Sequence, residues 1–372
     1  MKHFLVIATL LLSGSAFAQT EVSVYGSDKS QREGITYFLP KNKLTITVEA
    51  TKTTYVPGEY CKYAEQFLRL MNIAPEPKVT WTLNKVATQY EAIPDSSKSF
   101  YIKVDEKSSA PRVQLTQDGI LCAVNDQVIL EEQSTPTPVA PVKKKNLRPQ
   151  DFFTEEIVQA SSSMTTAKLI AAEIMQIRDK RNDLTRGELD NMPSDGVGMQ
   201  LMLNQLNEQE EALLSVFQGT TETESHTFTF SLIPTKPVQE QVLFRFSSKL
   251  GVVGADDLSG APVYYSLESQ HTVADKTPVT PEEIKRAEKL AEKNAKRAMK
   301  GEPFLQEGVV YNVPERCTFR IYTSKKTLFT DDYKLAQLGN TEVLLNDLFN
   351  KKTTFHVTFS PLDGSILKVR NE

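Results

Sequence analysis

The residues best suited to chemistry by type and spacing lie between Arg178 and Gly196. Calcium ions favour sites with several oxygen ligands, but the glycine and the terminal glutamate of the EF-hand pattern are not at their required offsets. Interleaved basic residues can also neutralise the acids within the stretch. We therefore expect a structural turn with a salt-bridge network here, and we assign no metal ligand. The acids are Asp179, Asp183, Glu188, Asp190 and Asp195, and the bases are Arg178, Lys180, Arg181 and Arg186.

Histidines and short motifs indicate no other site. His226, His271 and His356 stand in strand-like contexts without partners at metal-ligand spacing, so we interpret them as structural or surface residues. The sequence contains no nucleophile elbow, zinc-protease motif, P-loop or dinucleotide-binding glycine turn. We assign no catalytic, cofactor-binding or metal-binding residue. A pair of carboxylates for glycoside hydrolysis stays open, because their separation is a three-dimensional quantity.

The cysteines set few limits on the fold. Cys61, Cys122 and Cys317 are an odd number, so at most one intramolecular disulfide forms, and the three alternative pairings stay open. None lies in a CxxC pair or beside a histidine, so a zinc or redox motif has no support. We interpret all three as small apolar residues of the core.

Composition and the N-terminus predict an exported globular protein. The 372 residues are 40% hydrophobic and 24% charged with a net charge of −4, which excludes a disordered chain and disfavours a nucleic-acid binder. An apolar run from Phe4 to Leu12 precedes Ala16-Phe17-Ala18, which fits a signal peptidase site. We expect residues 1–18 to be a signal peptide cleaved after Ala18, and the mature protein to be periplasmic or extracellular. No other segment has the roughly 20 apolar residues of a transmembrane helix.

Hydrophobic periodicity divides the rest of the chain. From residue 19 to residue 130 the period is two, as in Leu44, Ile46 and Val48, which predicts a β-rich N-terminal domain. Asn125-Asp126 predicts a hairpin turn within it. Residues 131–150 combine prolines with three consecutive lysines, so we expect an extended linker.

A helical region and a second β-rich region follow. Apolar residues at steps of three or four predict a helical hairpin over residues 151–219. Residues 220–372 return to alternation and predict a β-rich C-terminal domain, with one inserted helix from about Pro281 to Lys300. The expected fold class is α+β, with two antiparallel β-rich regions flanking the central helical hairpin.

Two distant segments read alike. Gly34 to Pro40 and Gly308 to Pro314 share a Gly-x-x-Tyr-x-x-Pro pattern, and each leads into an alternating strand. One hypothesis is that the two β-rich regions descend from one duplicated module. The alternative is that glycine and proline punctuation recurs in any strand-rich chain.

Four segments together resemble a known family. They are GITYFLPKNKLTITVE from Gly34, YCKYAEQFL from Tyr60, RDKRNDLTRGELDNMPSDG from Arg178 and EEALLSVFQG from Glu210. They are similar to the domain of unknown function 4831 family, a group of exported bacterial proteins. The resemblance implies an envelope or secreted location, and it implies no activity and no catalytic residue.

The sequence therefore favours a binding protein over an enzyme. We expect a non-enzymatic binding or structural module of the cell envelope, with a protein or glycan partner, no cofactor and no nucleic acid. The alternative is a carboxylate-dependent hydrolase that acts on an envelope or dietary glycan.

Overall fold

The computed structural model describes residues 21–24, 34–103, 112–129, 147–188, 195–273, 280–302, 304–345 and 355–371. Strands make up 48% and helices 28% of the described residues. The strands form three sheets, in which neighbouring strands pair antiparallel. The β-rich, antiparallel character expected from the sequence is confirmed.

Sheet I has five strands in the order β10, β1, β3, β2, β6. These are β1 (Glu21–Val24), β2 (Gly34–Val56), β3 (Lys78–Lys103), β6 (Thr220–Leu232) and β10 (Leu305–Gln306). β2 and β3 pair along almost their whole length, with Gly34 opposite Lys103 at one end and Tyr55 opposite Lys78 at the other. The sheet thus joins strands from both β-rich regions of the sequence. The division of the chain into separate domains at these regions stays a prediction.

Sheets II and III contain the remaining strands. Sheet II has the order β12, β11, β9, β7, β8, and sheet III the order β14, β13, β5, β4. The strands of sheet II are β7 (Val238–Ser247), β8 (Gly251–Val253), β9 (Ala261–Ser269), β11 (Gly308–Tyr322) and β12 (Thr327–Leu345). Those of sheet III are β4 (Val113–Leu115), β5 (Leu121–Val124), β13 (Phe355–Phe359) and β14 (Ile366–Asn371).

Sheets I and II pack face to face around one apolar core. Leu44, Ile46 and Val48 of β2 are fully buried, as their alternation predicted. Phe244 of β7 and Phe319 of β11 are equally buried and belong to the same cluster. Each buried side chain of this size contributes about 1.5–3 kcal/mol relative to an exposed one, so this core is a major source of stability.

A second apolar core joins all three sheets. It takes Tyr37 from β2, Ile102 from β3, Val310 from β11 and Phe359 from β13. The Tyr37 hydroxyl donates to the carbonyl of Val310 at 3.3 Å and accepts from its N–H at 3.0 Å. Burial raises the pKa of Tyr37 far above its usual value, so the hydroxyl stays protonated. β2 and β11 therefore each contribute to both cores.

A proline lies where each of these strands passes from one core to the other. The register of β2 against β3 shifts between Phe38 and Pro40, and that of β11 against β12 shifts between Val313 and Glu315. Proline has no N–H to donate to the ladder, so strands tolerate it at such irregularities. In β2 the buried positions are odd-numbered up to Leu39 and even-numbered from there on, as at Asn42 and Leu44.

A buried amide network fixes this crossing. Asn42 is fully buried; its side chain donates to the carbonyl of Leu362 at 2.7 Å and accepts from the N–H of Ala336 at 2.7 Å. Its backbone N–H and carbonyl bond the side-chain amide of Gln337 at 2.9 and 2.8 Å. Asn312 donates to the carbonyl of Pro40 at 2.9 Å. The Asn42 amide is bonded at both its nitrogen and its oxygen, and a satisfied buried amide of this kind specifies one register.

The helices form a separate layer with its own core. They are α1 (Ala64–Leu68), α2 (Glu155–Val158), α3 (Ser163–Arg186), α4 (Gly196–Gln218) and α5 (Pro281–Ala298). Ile170 and Ile174 of α3 pack with Leu213 and Phe217 of α4, and all four are fully buried. Helix α5 has no buried residue, so it contributes little to any core.

The prediction of a β-hairpin around Asn125-Asp126 is wrong. Strand β5 pairs instead with β4, across the turn between Leu115 and Ile120, and no strand follows Asp126 among the described residues up to 129. The reason is that Asn125 adopts a positive φ of 56° and bonds Arg112 through both its backbone N–H and its side-chain carbonyl. These bonds end β5. Most of the expected linker (131–150) lies outside the described residues, which resume at residue 147.

Glu315 holds the end of β9 against β11. The residue is 4% exposed, and its carboxylate accepts from Ser269 Oγ and from the N–H groups of Thr272 and Val273, each at 2.9 Å. Burial raises the pKa of Glu315, but these hydrogen bonds outweigh it, and the pKa lies below its usual value. The charged form is thus favoured by the fold.

We expect Glu315→Gln to lower the free energy of unfolding by about 2 kcal/mol at pH 7, because a charged hydrogen-bond acceptor is lost. A folded-state pKa below the unfolded value of about 4.3 means that this stability is present above that pH. It is lost as the pH falls through the lower folded value. Urea unfolding at several pH values measures the difference between the two proteins, which should shrink below about pH 4.

The exposed Glu288→Gln variant on α5 is the matched control and should unfold like the wild type. A stability loss in Glu315→Gln that is equal at pH 7 and at pH 3 contradicts the role given to the charge.

Candidate functional site

The acidic stretch between Arg178 and Gly196 is mostly helix. Helix α3 continues through Arg186, so Asp179 and Asp183 lie on its last turns instead of in a loop. Gly187 ends the helix with a positive φ of 76°, a conformation that glycine adopts at little cost. The Asp195 side chain caps α4 by accepting from the N–H of Gly198 at 2.8 Å. Asp190 lies outside the described residues.

The basic residues of this stretch pair across the helices. Arg178 Nε lies 2.6 Å from Glu210 Oε1, and Arg181 bonds the other oxygen of the same carboxylate. Glu210 is 7% exposed and lies on α4, outside the stretch that the sequence singled out. Among the residues that the structure describes, no group of three or more His, Cys, Asp or Glu side chains could hold a metal ion. A salt-bridge network is present, but its acid comes from the facing helix.

The histidines lie apart from one another in the fold. The ring of His226 lies 4.9 Å from that of Trp81, and its Nε2 is 3.6 Å from the Glu224 carboxylate. His356 Nδ1 contacts the carbonyl of Asn125. His271 stands after β9 with a positive φ of 51°. Each thus has a local structural environment of its own.

All three cysteines are free thiols in the structure. Cys122 and Cys317 are buried and Cys61 is half-buried. Burial raises the pKa of the Cys122 thiol to about 11, and burial together with the charge of Glu315 does the same for Cys317. Thiols of this pKa are poor nucleophiles at neutral pH, so these two belong to the core.

A shallow depression of about 320 Å³ lies on the outer face of sheet II. β7, β9, β11 and the turn before β12 each contribute to it. Outward positions of paired strands bring these side chains together, because Arg320 lies opposite Ser266 and Tyr322 opposite Tyr264. The lining includes Gln239, Ser266, Glu268, Arg320, Tyr322 and Lys326.

The polar groups of the depression are arranged around Tyr322. Its ring stacks on that of Tyr264 with centroids 5.8 Å apart, and its hydroxyl donates to Glu240 at 3.2 Å. Burial, this hydrogen bond and the negative charges of Glu240 and Glu268 raise the pKa of Tyr322, so its hydroxyl stays protonated. Arg320 Nη1 lies 3.6 Å from Glu268 Oε1.

This arrangement suits the recognition of a polar ligand. Guanidinium, ammonium and amide groups offer donors, and a carboxylate and hydroxyls offer acceptors. The lining contains one carboxylate and no His or Cys, so it matches neither a metal site nor the carboxylate pair of a glycosidase. The sequence contained a usable signal, since Tyr264, Ser266 and Glu268 alternate with core residues, but it could not reveal which strands pair.

The chain matches one family model, described as Domain of unknown function (DUF4831), over residues 33–367. No curated protein and no solved structure matches it. Within the described residues, no helix is both long and apolar enough to cross a membrane.

We expect Glu210→Ala to lower the free energy of unfolding by about 2 kcal/mol, because it leaves two arginines without their partly buried partner. Thermal unfolding followed by circular dichroism measures this change. The neighbouring Glu211→Ala, at an exposed position, is the control and should shift the midpoint little. Equal midpoints for the two variants contradict a structural role for the Glu210 pairs.

Proposed function

The chain belongs to the DUF4831 family, and we propose that it is an exported, non-enzymatic binding module that recognises a glycan through the depression on sheet II. The observation that carries the proposal is the set of donors and acceptors around Tyr322. Glycans present many hydroxyl groups, each of which both donates and accepts hydrogen bonds. A lining of arginine, lysine, glutamine, glutamate and hydroxyl side chains complements such a ligand.

Binding without cleavage fits the depression better than hydrolysis does. Glycosidases use two carboxylates with a defined separation, one of them protonated. Glu268 is the carboxylate of the lining, and it pairs with Arg320. The depression is also shallow, so water has access to a bound ligand. These features favour a module that holds a glycan and leaves it intact.

Export is supported by the order of features at the N-terminus. A polar start, an apolar run from Phe4 to Leu12 and the sequence Ala16-Phe17-Ala18 follow one another as in cleavable signal peptides. We propose cleavage after Ala18 and a periplasmic or extracellular location. The cell envelope then provides both glycans and protein partners.

Two finer features of the fold belong to this proposal. We infer that α3 and α4 form the expected helical hairpin, which their shared core and the Glu210 pairs support. We also infer that β2–β3 and β11–β12 descend from one module. Both are long antiparallel pairs with a register shift at a proline, and each has a third strand on its other side.

We expect the purified mature protein to bind at least one member of a panel of envelope and dietary glycans. Arg320→Ala should weaken that binding about tenfold, because a charged hydrogen-bond donor is lost. Isothermal titration with the glycan selected on an array measures the affinity. Arg316→Ala, an exposed arginine four positions away on the same strand, is the matched control.

Equal affinities for the Arg320 and Arg316 variants contradict the site. Release of glycan fragments by the wild-type protein contradicts the non-enzymatic half of the proposal and favours the hydrolase. Loss of binding in both variants contradicts recognition centred on this depression.

For export, we expect a bacterial host that expresses the full chain to release a product that begins at Gln19, as measured by mass spectrometry of the periplasmic fraction. Ala16→Arg should leave the precursor uncleaved, because signal peptidase requires a small residue at this position. Ala16→Ser is the control and should be processed. A cytoplasmic, full-length product of the unaltered gene contradicts export.

A further inference from the structure

The outer edge of β6 is a long strand edge without the usual protection. β6 pairs with β2 along all 13 of its residues, and among the described strands none pairs with its other side. Its sequence contains no proline, lysine or arginine, and its register with β2 has no shift. Natural proteins shield exposed edges with such residues, with bulges or with short strands, because an open edge recruits further strands.

The other outer strands of the three sheets carry these protections. β4 and β8 have three residues each, and β10 has two. β14 has six residues, among them Lys368 and Arg370. β12 is long, but its pairing with β11 is broken by two register shifts, and it carries Lys334. β6 is thus the exception within the described part of the chain.

The edge also leaves apolar surface at the rim of the core. Phe228, Phe230 and Leu232 point from β6 towards the core between sheets I and II, yet they are only partly buried. Phe230 stacks on Phe244 of β7 at a centroid distance of 5.2 Å. The next residue of the chain, Ile233, is 43% exposed. A strand beside β6 would cover the flank of these side chains and bond the open backbone.

We propose that the edge of β6 receives an extended segment of a partner protein as a sixth strand of sheet I. The charges of β6 indicate the chemistry of that segment. Glu222 and Glu224 lie on the same face as Phe228 and Phe230, towards the other end of the strand, and β6 has no basic residue besides His226. The segment therefore alternates, with apolar residues opposite the phenylalanines and a basic residue opposite the glutamates.

A second copy of β6 fits this edge poorly. Antiparallel self-pairing centred on His226 places Glu224 opposite Phe228, and Glu222 opposite Phe230. Each pair sets a carboxylate against an aromatic ring across the new strand boundary, although Glu224 keeps its ion pair with Lys52 of β2. This mismatch favours a different strand over a symmetric dimer.

The chain contains a sequence with the required pattern, which supplies the probe. In β2, Val48 lies opposite Phe228, Ile46 opposite Phe230 and Lys52 opposite Glu224. We expect a labelled synthetic peptide with the sequence Leu44–Val56 to bind the full mature protein saturably, measured by fluorescence anisotropy, while a scrambled peptide does not. Hydrogen exchange should slow at residues 220–232 and stay unchanged at residues 44–56 of the protein.

Backbone methylation of the peptide tests strand pairing directly. Only every second residue of an added strand directs its N–H towards the edge it joins. Methylating the N–H groups of Ile46, Val48 and Ala50, or instead those of Thr45, Thr47 and Glu49, should therefore give unequal results. One set should weaken binding at least about tenfold and the other much less.

On the protein, Glu222→Lys should weaken peptide binding about fivefold at low salt, because Glu222 lies diagonal to the peptide's Lys52 and its attractive charge becomes repulsive. Glu288→Lys on α5 is the matched control and should bind normally. Absence of saturable binding up to millimolar peptide, or equal effects of the two methylated sets, overturns the proposal. Faster hydrogen exchange at residues 44–56 means that the peptide replaces β2. A dimer that the peptide dissociates means that a second copy of the chain occupies the edge. Either result overturns the proposal.

These outcomes are separate from those for the glycan site. The Arg320 and Arg316 variants should bind the peptide like the wild type, and Glu222→Lys should bind the glycan normally. If binding at one surface is not observed, the result for the other surface still stands.

Discussion

The architecture depends on two strands that must each serve two apolar cores. In β2 the buried positions are odd-numbered before the crossing and even-numbered after it, and in β11 the order is reversed. The register shifts at Pro40 and Pro314 accompany this change. The buried amide of Asn42 then fixes the crossing, because another register would leave it without partners, and Asn312 adds one bond to Pro40. The packing of sheets I, II and III follows from this arrangement.

Local pattern was sufficient to predict much of the fold and little of the site. The alternation around Leu44 and the helical steps from Phe153 to Ile177 predicted the strand and the helix, because both signals lie within one element. The partners of a strand or side chain could not be predicted in this way. Nothing in the local sequence of β6 indicates that it pairs with β2, and nothing near Arg178 indicates Glu210 on another helix. Asn125 misled because the same residue type favours a hairpin turn and a bond to a preceding strand. The sequence did not predict the depression, because Tyr264 and Tyr322 come together only when β9 and β11 pair.

The two candidate surfaces differ in physical character. The depression on sheet II offers side-chain groups of both charges and suits a small polar ligand. The edge of β6 offers backbone groups and a strip of aromatic surface, which suit an extended chain. A module with both would join a glycan to a protein. The core beneath them is shared, because Phe319 and Phe230 belong to one cluster.

The network at Asn42 also constrains how the molecule is made. Its side chain bonds Leu362, 320 positions away, and β5 reaches its place in sheet III only beside β13. β2 and β3 can pair with each other early, but the Asn42 network and the β5–β13 pair lack their partners until nearly the whole chain has been synthesised. Contacts between such distant residues form slowly. The second apolar core is therefore completed late, because it needs Phe359 of β13 as well as Tyr37 of β2.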